Sequence, residues 1–75
     1  MSLSDVMIHI NEGLNADSRS SLEARMRQIE GVVAPRFNPG KEHLLLVAFD
    51  PDKARPADLL GAVRSSGYAA QLVGV

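Results

Sequence analysis

The sequence predicts an α+β domain in which four antiparallel strands, in the order 4-1-3-2, carry two helices on one face. Three observations lead there. Segments of period-two hydrophobicity alternate with segments of helical spacing, in the order strand, helix, strand, strand, helix, strand. Turn-forming clusters separate them. A proline falls inside the second strand, which a sheet tolerates only at its edge.

The elements follow in order. Val6, Ile8 and Ile10 alternate with Met7, His9 and Asn11, the pattern of a half-buried strand that stops at Asn11-Glu12-Gly13. Asn15-Ala16-Asp17-Ser18 supplies side chains that accept hydrogen bonds from free helical N–H groups, so a helix begins there. Leu22, Met26 and Ile29 form its apolar stripe, and Gly31 is placed to close it in the left-handed conformation. Residues 32–37 read as an edge strand because Pro35 lacks a ladder donor. Asn38-Pro39-Gly40-Lys41 is a turn, and 43–49 is the second arm of the hairpin, closed by Asp50-Pro51. Arg55-Pro56 opens a second helix, where a missing N–H costs nothing. Leu59, Leu60 and Val63 give its buried side and Gly67 ends it. Residues 68–73 read as the last strand. Two βαβ halves of this kind make the ferredoxin-like sandwich, with right-handed crossovers.

Composition narrows the function. At 75 residues the chain has room for one domain, 1–75. An apolar share of 45% is that of a globular protein. The net charge of −1, with basic residues scattered and aromatics limited to Phe37, Phe49 and Tyr68, argues against a nucleic-acid partner. There is no cysteine, which excludes disulfides, thiolate metal sites and thiol catalysis. No apolar run approaches the ~20 residues of a membrane span. The first residues show no basic segment leading into an apolar one, so a signal peptide is not expected and a cytoplasmic protein is. Ser, His and Asp are present, but no nucleophile motif joins them, so no enzyme is expected.

Several landmarks fall in the order of the heavy-metal-associated, copper-chaperone-like domain family. Gly31-Val32 matches the end of that family's first helix, Phe49-Asp50-Pro51 the end of its hairpin, and Gly67-Tyr68-Ala69-Ala70 its G-Y-x-A. Leu22, Met26 and Ile29 match the apolar positions of its first helix. The chain resembles the family over nearly its whole length. It departs at the metal loop, G-M-x-C-x-x-C in the family. Counting back from Gly31, the two cysteines would align near Asn15 and Ser18, in a loop about one residue short. Cu(I) prefers sulfur, and this loop offers oxygen.

Candidate residues follow. In the loop 13–18, Asn15, Asp17 and Ser18 are either helix caps or, with His9, oxygen and nitrogen ligands for a weakly held divalent metal. No other cofactor is expected. By alternation His9 points to the open face of the sheet, and His43 to the opposite face with Leu45, Val47 and Phe49. The resemblance places Tyr68 over the metal loop. Leu44, Leu46 and Ala48 should join Met7 on the open face, where a half-solvated sheet is normally polar. That apolar patch predicts a protein partner or a homodimer. Arg19, Arg25 and Arg27, on the first helix, would steer docking of the kind the resemblance implies.

The expected function is a non-enzymatic binding or interaction domain without thiolate metal capture. Two alternatives are a metal-transport domain using oxygen and nitrogen ligands near 13–18, and a ferredoxin-like small-molecule regulatory domain.

Overall fold

The computed structural model describes residues 2–73. Its elements are β1 (Ser4–Ile10), α1 (Ala16–Arg27), β2 (Val32–Asn38), β3 (Lys41–Phe49), α2 (Pro56–Ser65) and β4 (Ala70–Leu72). They form one four-stranded sheet, β2-β3-β1-β4, the order expected from the position of Pro35. All three pairings are antiparallel, with Val6 opposite Val47 and Ile8 opposite Leu45 in the central pair.

Alternation decides which side chains meet the helices. Ile8 and Ile10 of β1 are buried, as are Leu45, Val47 and Phe49 of β3. From the helices come Leu22 and Met26 of α1, and Leu59 and Val63 of α2. α1 is otherwise polar, so packing of these two side chains, at roughly 1.5–3 kcal/mol each, outweighs its intrinsic helix preference. Leu14 and Ala54 also belong to the core, though both lie in loops where no periodicity marks them.

Helix ends differ from expectation at one place. α1 stops at Arg27, with Gln28 as its cap, and Gly31 belongs to a separate turn with φ of 95°. Ile29 thus leaves the helix but still packs on the core. Gly67, with φ of 101°, directly follows the Ser66 cap of α2, as expected. β4 is shorter than the predicted 68–73. The Ala69 N–H turns to the Glu12 carboxylate, at 3.0 and 3.1 Å, rather than into a ladder.

Two of the sequence landmarks are joined in space. The Asp50 N–H donates to the Gly31 carbonyl at 2.7 Å, and Val32 pairs with Phe49. Asp50 is 7% exposed; its carboxylate accepts the Asp52 N–H at 2.9 Å and its carbonyl accepts from Lys53 and Ala54. The Gly31-Val32 and Asp50-Pro51 turns are thus two sides of one contact that locks the entry of β2 onto the exit of β3.

Candidate functional site

The loop leading from β1 into α1 is built as a helix start. Asn15 has extended backbone, φ −77° and ψ 174°, and its Oδ1 accepts the Ser18 N–H at 2.8 Å. Leu14 is buried beneath, and Arg19 folds back so that its guanidinium donates to the Leu14 carbonyl at 2.6 Å. Asp17 lies exposed in the first helical turn. Of the three oxygen-bearing residues, the Asn15 oxygen is already engaged, and the neighbouring cation is protein-borne. Among the described residues no group of three or more histidines and carboxylates converges as a metal cluster would. The loop's donors do not fit a soft monovalent metal: there is no thiolate, Met26 is fully buried in the core, and the exposed thioether of Met7 stands on the sheet face and not in the loop.

The two histidines are side by side, which corrects the expectation that they occupy opposite faces. Their ring centroids are 5.8 Å apart and the planes 14° from parallel. The cause is an irregularity in the β2–β3 ladder. Phe37 pairs with Leu45, but the next residue, Asn38, pairs with Lys41, so Glu42, His43 and Leu44 have no opposite number on β2. Such a bulge breaks the alternation and re-aims side chains. His43 is therefore exposed, and its Nδ1 donates to the Ile10 carbonyl at 2.7 Å. His9 Nδ1 lies 2.8 Å from the Gln71 amide nitrogen, which also donates to Asn11 Oδ1 at 3.2 Å. Rings lying face to face do not aim their in-plane lone pairs at a common point, so the pair is a hydrogen-bonded stack and not a chelate.

Tyr68 is half-buried against the core and lines a groove of about 530 Å³ between the helices, with Ser21, Leu22, Arg25, Ser65 and Ser66. It stands beside the middle of α1. The three arginines go different ways. Arg19 serves the loop, Arg25 donates across to Ser65 Oγ at 3.0 Å, and Arg27 is exposed near the helix end.

The open face of the sheet carries Met7, 36% exposed, opposite Leu46, with Leu44 and Ala48 half-buried on the same strand as Leu46. Arg36 of β2 completes the row of Met7 and Leu46, and Asp5, Ala48 and Ala34 form the next row. Sequence reading did not single out Asp5 and Arg36. Only the register shows that they flank the apolar strip.

No protein-family profile matches the sequence, and no curated protein does. Solved structures do. The copper-binding domain of a P-type ATPase is similar with a TM-score of 0.83 at 18% identity, over 93% of this chain and 93% of that one. The N-terminal domain of a potential copper-translocating P-type ATPase from Bacillus subtilis, in its Cu(I)-loaded state, gives 0.83 at 27% identity, over 95% of this chain and 88% of that one. Oxidized MerP from Ralstonia metallidurans gives 0.81 at 17% identity, over 95% and 97%. The chain has the fold of the heavy-metal-associated, copper-chaperone-like domains, and it lacks the C-x-x-C pair, since it contains no cysteine. Among the described residues no helix is long and apolar enough to cross a membrane.

Proposed function

We propose that this chain is a non-enzymatic interaction domain that keeps the scaffold of copper-carrying domains and has given up thiolate metal capture. The observation that carries this reading is the loop 13–18. Where the resemblance puts sulfur, Asn15 caps the helix by accepting the Ser18 backbone N–H, and Arg19 holds a positive charge against the Leu14 carbonyl. The Asn15 oxygen is taken by the helix, and the one carboxylate of the loop is the exposed Asp17. One carboxylate, in a loop that already holds a guanidinium, is a poor site even for a hard cation.

The apolar strip on the sheet supports the second half of the reading. Met7, Leu44, Leu46 and Ala48 lie on a face that water alone would favour as polar. Binding to another protein is the use such a face has.

The test is titration of the purified protein with Cu(I), and separately with Cu(II), Zn(II) and Ni(II), followed by amide and imidazole NMR. The expected result is no stoichiometric Cu(I) capture and no saturable, site-specific change at Asp17, His9 or His43. Tight one-to-one capture of Cu(I), or saturable shifts centred on Asp17 and His9, would sink the reading.

A further inference from the structure

The open face carries charges of both signs in a set arrangement. Asp5 on β1 and Arg36 on β2 stand on opposite sides of β3 and one row apart, since Asp5 shares a row with Ala48 and Arg36 with Leu46. Between them lies a shallow groove of about 120 Å³ whose floor is Leu46, Ala48 and Ala34. Two strand spacings, roughly 10 Å, separate the carboxylate's strand from the guanidinium's. Met7, 36% exposed, stands beside Leu46 in the Arg36 row.

We propose that this face binds the same face of a second copy of the chain, each Asp5 opposite the partner's Arg36. This rests on the interaction-domain reading above and names the partner. A two-fold axis in the plane of the sheet, running obliquely to β3 and crossing it between Leu46 and Ala48, exchanges the positions of Asp5 and Arg36. One rotation therefore makes both ion pairs, and the same rotation lays Leu46 of each copy against the partner's Met7. A self-complementary patch of this sort is what a two-fold interface requires, because every contact occurs twice. A partner of unrelated sequence imposes no such symmetry: it would be met by a patch of one sign as readily as by this one. The apolar centre supplies the affinity, and the rim charges set the register and reject misaligned pairings.

The face is small. β1 and β2 have seven residues each and β4 has three, so the contact falls below the ~800 Å² per partner of a standard interface. Association is accordingly weak and reversible, and it must be looked for at high protein concentration.

The experiment is sedimentation velocity and NMR relaxation over increasing protein concentration. Wild type should shift reversibly from monomer to dimer, with amide shifts centred on β1 and β3. Asp5→Arg alone and Arg36→Asp alone place like charges opposite each other, and each should weaken self-association by about tenfold or more. Mixed one to one, the two variants should associate with each other as the wild type does with itself, since one ion pair is then native and the other is re-formed with its charges exchanged. That recovery also shows both variants are folded. Leu46→Glu should remain folded by circular dichroism and stay monomeric. A wild type that stays monomeric across the range overturns the proposal, as does a mixture no better than either variant alone. Neither result touches the Cu(I) titration, so the homodimer can fail while the interaction-domain reading survives.

Discussion

Gly31 and Gly67 both have positive φ, but they differ in what surrounds them. A Cβ at Gly31 would sit 2.8 Å from the Lys53 Cβ, because the 28–31 turn presses on the Asp50 turn. At Gly67 nothing lies within 4 Å. The backbone cost of a non-glycine residue is about 1–3 kcal/mol at either site. Gly31→Ala carries in addition the cost of parting two turns held by the Asp50–Gly31 hydrogen bond. Thermal unfolding should therefore show a clearly larger drop in Tm for Gly31→Ala than for Gly67→Ala, with about 4–8 °C for each kcal/mol in a chain this small. Equal drops would mean the Gly31 contact relaxes freely. The sequence read both glycines as helix closers, and only Gly67 is one. Local pattern shows that a glycine is needed; it does not show that a turn from 20 residues away (Gly31 to Pro51) presses against it.

Among the elements, β2 is the one held by an unexpected device. It lies at the sheet edge, yet the Phe37 N–H donates to the Glu23 carboxylate of α1 at 3.1 Å. This bond ties helix to strand next to the register shift. Glu23→Ala should cost about 1.5–3 kcal/mol, the range for a hydrogen bond to a charged acceptor. It should also speed amide exchange at Phe37 while leaving the β1–β3 amides protected. Uniform loss of protection would show that the bond matters only to global stability. Strand and helix identities were legible because alternation and apolar spacing are properties of each segment alone. The bulge at 42–44 was not legible, because it belongs to the pairing of β3 with β2. That single displacement is why His43 was assigned to the wrong face and Leu45, two residues on, was assigned to the right one.

For the molecule as a whole, scaffold and chemistry separate. The sheet order and both helices followed from the sequence, and so did the lack of thiolates. The flanking of the apolar strip by Asp5 and Arg36 did not, because it needs three strands in register. If the scaffold is intact and only donors are missing, then Asn15→Cys with Ser18→Cys restores a C-x-x-C spacing at the start of α1. The double variant should bind Cu(I) one to one in a bathocuproine competition assay, and wild type should not. It should also lose about 1 kcal/mol of stability, because the Asn15 cap is removed. A folded double variant that still ignores Cu(I) would show that the loop's shape, one residue short and clasped by Arg19, has diverged along with its atoms.

Pro35 has a last consequence. Its strand borders solvent on one side of the sheet, and the strand on the other side, β4, is only three residues long. An incoming chain seeking to extend the ladder finds a missing donor at one margin and a stub at the other. Fibrous, edge-to-edge growth of folded molecules is thereby discouraged.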